Sequence, residues 1–133
     1  MKRIFTILIL TALALQAITF VIPYYWGLIY TNEEMELLAW HGYGAQLDVY
    51  GPSLYILSAV YVLVYIGLIF YKAWAKPSFL LITIISIAIT PFMGITINEP
   101  INNILGYTLS LIDGAILTML YLTSVSNEFT KSA

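Results

Sequence analysis

The sequence predicts an all-α polytopic membrane protein: one domain over 1–133, a four-helix transmembrane bundle with a short periplasmic interfacial helix. Three observations predict it. Hydrophobic residues make up 61% of the chain and charged residues 9%, at a mean hydropathy of +0.91, where soluble domains carry about 25% charge. Apolar runs from Ile4 to Ile22, Ser53 to Tyr71, Ser78 to Ile97 and Leu105 to Thr123 each approach the ~20 residues that cross a bilayer. Finally, a four-span path puts all 5 basic residues (Lys2, Arg3, Lys72, Lys76 and Lys131) on one side, opposite Glu33, Glu34, Glu36, Asp48 and Glu99. The positive-inside rule then places both termini in the cytoplasm and the acidic loops in the periplasm of a bacterial inner membrane.

The first run follows Met1-Lys2-Arg3 and resembles a signal peptide, with Ala17 a poor cleavage site. Because the apolar stretch continues through Phe20 to Ile22, it reads as a retained span that ends or kinks near Pro23. Ala12, Gln16 and Thr19 share its inward face.

A periplasmic cap is expected from Tyr24 to Pro52. It opens with Tyr24, Tyr25, Trp26 and Tyr30, aromatic residues of the kind found at headgroup level. Thr31 and Glu34 fit a capping box, with Glu33, Glu34 and Glu36 in the first turn of a short helix running to about His41. Trp40 and His41, with the three glutamates, are candidate periplasmic interaction residues. Gly42 and Gly44 end the helix.

In the second span Ser58, Tyr61 and Tyr65 fall on one face. Lys72 to Pro77 forms a short basic connection, so the third span returns antiparallel, with Thr83, Ser86, Thr90 and Gly94 on one face and Pro91 kinking it, freeing the carbonyl of Ile87. Asn98-Glu99-Pro100 turns into the fourth span, and Ser124 to Ala133 reads as a polar tail.

The fourth span carries the main candidate, Asp113. A carboxylate near mid-bilayer costs about 2.5–3.5 kcal/mol on insertion scales, so it must face protein or water. Counting from the periplasmic side, Tyr61 matches its depth, each about eight or nine residues in at ~1.5 Å per residue. Two readings stand: hydrogen-bonded glue, which is favoured, or a proton- or cation-coupling group. Gly106, Ser110, Gly114 and Thr118 form a small-residue stripe, read first as packing inside the protomer and second as a dimer face. Tyr55, Tyr61, Tyr65 and Tyr107 are candidates to line a lipid or quinone cavity, with packing as the default.

Composition removes several classes. With 0 cysteines there is no thiol catalysis and no iron–sulfur or thiolate metal site; 1 histidine excludes a bis-histidine haem. No metal and no cofactor is expected. No nucleophile–base–orienter set is visible, so no catalytic residue is named and an enzyme is not expected. Scattered basic residues argue against nucleic acid.

From Pro91-Phe92-Met93-Gly94 through Leu105-Gly106-Tyr107 to Asp113-Gly114-Ala115, the chain resembles small bacterial four-span inner-membrane proteins that carry no assigned activity. The resemblance implies the four-span architecture and nothing about a site. Size and span number are similar to DoxX-like proteins and small multidrug resistance transporters; the latter imply an acidic residue in span one, where this chain has Gln16.

Three functions are therefore expected, in this order. The first is a non-enzymatic accessory subunit or interaction partner of another membrane protein or toxin, or a self-associating one. The second is a small oligomeric transporter or channel using Asp113, and the third a lipid- or quinone-binding membrane protein.

Overall fold

Proline and capping residues, rather than hydropathy alone, set where the helices begin and end. The structure, a computed structural model, describes residues 1–46 and 52–130; Asp48, Gly51 and Lys131 lie outside the described residues. The helices are α1 (Lys2–Val21), α2 (Trp26–Ile29), α3 (Asn32–Leu38), α4 (Pro52–Ile69), α5 (Ala75–Ile89) and α6 (Pro100–Leu122), with 3₁₀ turns at Ile22–Tyr25, Thr90–Phe92 and Ser124–Glu128. The chain is all-α, with no strand among the described residues. Three helical stretches are long and apolar enough to cross a membrane, Lys2–Ile29, Ala75–Phe92 and Pro100–Leu122, while Tyr55–Ile69 is a shorter apolar helix.

Pro23 does not end the first helix. It tightens one turn into 3₁₀ geometry, after which α2 continues the path to Ile29. The Tyr24–Trp26 cluster, expected to open a loop, is thus helical. α3 has the expected capping box: Thr31 accepts from the Glu34 N–H, and Glu34 accepts from the Thr31 N–H at 2.8 Å.

α4 ends in a Schellman motif, with the Lys72 N–H on Gly67 O at 2.9 Å and the Tyr71 N–H on Leu68 O at 3.1 Å. Tyr71 holds the left-handed position, at φ 52°, that glycine usually takes. Its ring is fixed by Phe5 and Phe129, with centroids 6.0 and 5.3 Å away. Gly67 is required one turn earlier, because a Cβ there would stand 2.7 Å from the Trp74 ring.

The third span is expected over Ser78 to Ile97, yet α5 begins three residues earlier and its last 3₁₀ turn ends at Phe92. Pro77 sits in the first turn, where its missing N–H has no helical partner to lose. Pro91 stops the helix instead of kinking it. Thr90 satisfies the released carbonyls, its N–H on Ile87 O and its hydroxyl on Ser86 O at 2.8 Å. Residues beyond it run back along the cap loop: Gly42 N–H to Ile95 O at 2.7 Å, Ile95 N–H to Tyr43 O at 3.0 Å, and Gln46 N–H to Phe92 O at 3.0 Å. Gly94, expected on a helix face, sits in this lock at φ +76°.

α1 runs antiparallel to α6 and to α4. At one end Phe5 meets Phe129 and Tyr71, and at the other Trp26 meets Glu99 and Phe20 stacks on Tyr55. The core between them holds Phe5, Ile9, Tyr65, Leu68, Phe79, Ile116 and Leu120, all fully buried. The residues after α6 are not a free polar tail. Val125 and Phe129 are buried, Lys76 Nζ donates to Ser126 Oγ at 2.6 Å, and Lys2 pairs with Glu128 at 2.8 Å. Outward-facing Ile87, Leu111 and Leu122 are largely exposed, an apolar surface suited to lipid.

Candidate functional site

Beneath the cap, between α1, α4, α6 and the 93–99 segment, lies a cavity of about 700 Å³, within the range of small-molecule sites. Gln16, Thr19 and Phe20 of α1 and Trp26 of α2 form one wall, Tyr55 and Ser58 of α4 another, and Glu99, Asn102 and Leu109 the third. His41, Met93 and Ile97 close the cap side. The geometry follows from the helix spacing: Gln16 and Thr19 follow the buried Ala12 down one face of α1.

Glu99 dominates this cavity chemically. It is 5% exposed and takes the N-cap position of α6, with Pro100 at the first helical position. The unpaired N–H groups and dipole of that helix end favour a negative charge there. Trp26 donates its indole N–H to Glu99 Oε1 at 3.1 Å, and Asn102 Nδ2 donates to the same oxygen. Because the carboxylate requires a donor, the Asn102 amide is oriented with its Oδ1 directed away. That Oδ1 and Gln16 Oε1 are both buried without a hydrogen-bond partner.

One further polar cluster lies deeper. Tyr65 donates to Asp113 Oδ1 at 2.5 Å, and Tyr61 pairs with Ser86 at 2.9 Å. Asp113's partner is therefore Tyr65, one helical turn beyond the Tyr61 that depth counting selects. The reason is where the last long helix starts: α6 begins at Pro100, not at the Leu105 expected from sequence. Asp113 stands thirteen residues past Pro100 and Tyr65 thirteen past Pro52. Tyr61 and Tyr65 keep their rings 6.2 Å apart, so a polar seam descends from Ser58 at the cavity through Tyr61 to Tyr65 and Asp113.

Other sequence candidates lie apart from both clusters. Tyr107 is 70% exposed and is not among the described residues lining this cavity. Gly106, Ser110, Gly114 and Thr118 are all exposed, so the stripe does not pack inside the protomer. Ser110 and Thr118 bond back to the carbonyls of Gly106 and Gly114 at 2.9 Å. Glu33, Glu34, Glu36 and Trp40 are exposed on or after α3. His41 Nδ1 lies 3.0 Å from Ile97 N and 2.7 Å from Ile97 O, fastening the cap loop to the 93–97 segment.

Sequence reading misses Trp26, Glu99 and Asn102 as site residues. The signal was present in Asn98-Glu99-Pro100: proline at the first helical position with an acidic residue just before it marks a helix start. That start puts Glu99 and Asn102 within one turn of each other. No protein-family model matches the chain, and no curated protein or solved structure matches it either.

Proposed function

We propose that the chain is a non-enzymatic multi-pass membrane protein that binds a small amphiphilic molecule in the cavity under its cap. This is the lipid-binding class of the three functions expected from sequence. The observation that carries it is the cavity itself, about 700 Å³, with apolar and aromatic walls and one buried carboxylate. Such a combination, mostly apolar with a few fixed polar groups, is what orients a small ligand. The bonds to Glu99 from Trp26 and Asn102 hold the carboxylate in place rather than activate a nucleophile, which favours binding over chemistry.

The same proposal includes four spans in a bacterial inner membrane with both termini cytoplasmic. α4 has 18 residues, about 27 Å at ~1.5 Å per residue, close to a hydrocarbon core. Lys2, Arg3, Lys72 and Lys76 gather at one end and the α3 glutamates at the other, which supports the orientation. Since the chain has 0 cysteines, single cysteines at Lys72 and Glu36 test it. Impermeant thiol reagent should label Glu36→Cys in intact spheroplasts and leave Lys72→Cys unlabelled.

Binding is tested by native mass spectrometry of protein extracted in nanodiscs. The expected result is a retained small amphiphile, one per chain, held less well in Leu109→Trp, which pushes an indole into the cavity. A bare chain mass for the unaltered protein, with no retained molecule, would overturn the reading. A stoichiometric foreign chain with an empty cavity would point instead to the accessory-subunit class.

A further inference from the structure

We infer that the ligand of the cap-end cavity carries a protonated amine: an ammonium head held by Glu99, Asn102 and Gln16, on an apolar tail. This rests on the reading of the cavity as a binding site and names the chemistry that would fill it.

Glu99 brings a carboxylate that is 5% exposed, and both of its hydrogen bonds converge on Oε1. Among the described residues, Oε2 accepts none. Asn102 Oδ1 and Gln16 Oε1 add two more acceptors, both buried and both without partners. Trp26 Nε1 and Asn102 Nδ2 are spent on Glu99, which is the one carboxylate among the described lining residues. No lysine or arginine lines the cavity among the described residues. Buried acceptors left without donors are costly, and so is a buried charge without a counter-charge. A molecule that brings N–H donors and a positive charge relieves both. A carboxylate or phosphate head would instead set a second negative charge beside Glu99.

The rest of the wall agrees with that choice. Phe20, Trp26 and Tyr55 contribute aromatic faces or edges, and aromatic faces attract ammonium groups. Thr19 does not compete as a donor, because its hydroxyl is committed to Leu15 O at 3.0 Å. Leu109 and Ile97 are left to cover an aliphatic tail. The unpaired acceptors separate two kinds of cation: a primary ammonium supplies three N–H donors and a quaternary one supplies none. The site therefore prefers the former.

The test uses four probes with one common tail: dodecylammonium, dodecyltrimethylammonium, dodecanol and dodecanoate. Each is titrated into the full chain in phosphatidylcholine nanodiscs, with nanodiscs lacking the protein as the blank for partition into lipid. The expected order is dodecylammonium first, then dodecyltrimethylammonium, then dodecanol, with dodecanoate not held above the blank. Glu99→Gln should reduce the preference for ammonium over alcohol by about tenfold or more, since a buried charge pair is broken. Gln16→Leu, which removes the unpartnered Oε1 together with its amide NH2 and leaves Glu99 in place, should weaken dodecylammonium about threefold or more and dodecanol less. If Glu99→Gln fails to fold, the probe order on the unaltered protein and the Gln16→Leu result still decide. Equal retention of dodecanol and dodecylammonium would overturn the ammonium assignment and leave the binding cavity standing. Retention of none of the four would overturn both.

Discussion

Trp26 and Glu99 are 73 residues apart in sequence and joined by a 3.1 Å hydrogen bond from the indole N–H to the carboxylate. The bond ties the first residue of α2, just beyond α1, to the N-cap of α6, and α1 and α6 are the two helices that pack most extensively against each other. It exists because Pro23 tightens the helix without ending it, so that Trp26 is carried inward on a further helical turn. It also closes one wall of the cavity, so cap geometry and ligand geometry share a single contact.

Replacing Trp26 with Phe keeps the ring and removes the donor. Glu99 would retain Asn102 alone, and leaving a buried acceptor short of a donor costs about 1–3 kcal/mol. The expected outcome is that loss in reversible unfolding in mixed micelles, with helix content unchanged. An unaltered midpoint would mean that water replaces the indole without penalty.

Gly94 is the conformational pin of the cap. A Cβ would stand 2.6 Å from both Ala45 N and Tyr43 O, on a backbone at φ +76°. Gly94→Ala therefore combines a clash with backbone that side chains disfavour, a cost of about 1–3 kcal/mol. Hydrogen exchange should locate the damage: the amides of Gly42 and Ile95 lose protection while those of α4 and α6 keep theirs. Global loss of protection would show that the cap and the helices unfold together.

Tyr65 and Asp113 form the deepest polar contact described. Tyr65→Phe conserves shape and strips the carboxylate of its donor, which should destabilise the protein by about 1–3 kcal/mol. Asp113→Asn keeps an acceptor oxygen for Tyr65 and should cost less, since interhelical hydrogen bonds in bilayers average about 0.6 kcal/mol. In a double-mutant cycle the pair should be less destabilised than the sum of the single changes. Strict additivity would show that Asp113 finds another partner once Tyr65 is altered.

The long helices and their inward faces were legible because hydropathy and period act locally, as with Ala12, Gln16 and Thr19 on α1 or the Thr31–Glu34 capping box. Two boundaries were not. The last long helix, α6, starts at Pro100, and the apolar residues after Pro91 belong to a cap segment whose partner, the 41–46 loop, is distant in sequence. Hydropathy cannot separate Met93 and Ile95 in such a segment from the same residues in a span; only the bonding of Gly42 and Tyr43 does. The misplaced start of α6 then shifted the depth of Asp113 by one turn and concealed Glu99. The tail is misread for a related reason: Val125 and Phe129 are two apolar residues among polar ones, and the rings against Phe129 are those of Phe5 on α1 and Tyr71 just past α4.

At that end, packing should outweigh charge. Phe129 is 2% exposed, so Phe129→Ala should cost about 3–5 kcal/mol through loss of buried ring contacts. Lys2 and Glu128 are 2.8 Å apart, but their side chains are 60% and 22% exposed, and exposed pairs contribute about 0–1 kcal/mol. Lys2→Met should leave the unfolding midpoint nearly unchanged, and a loss as large as that of Phe129→Ala would reverse this ranking.

The start of α3 should be acid-sensitive, and the sign follows from Glu34. The Thr31 N–H at 2.8 Å and the Thr31 hydroxyl at 3.0 Å both donate to its carboxylate, holding it below the ordinary value of 4.5. A carboxyl depressed in the folded state contributes its stability above the ordinary value and loses it as pH falls through the lowered one. The Met35 amide, which bonds to Thr31 O at 3.0 Å, should therefore keep its exchange protection at neutral pH and lose it on acidification. Glu34→Gln should remove that acid step while lowering protection modestly at neutral pH. An acid step that persists in Glu34→Gln would assign the sensitivity to another carboxylate of the cap.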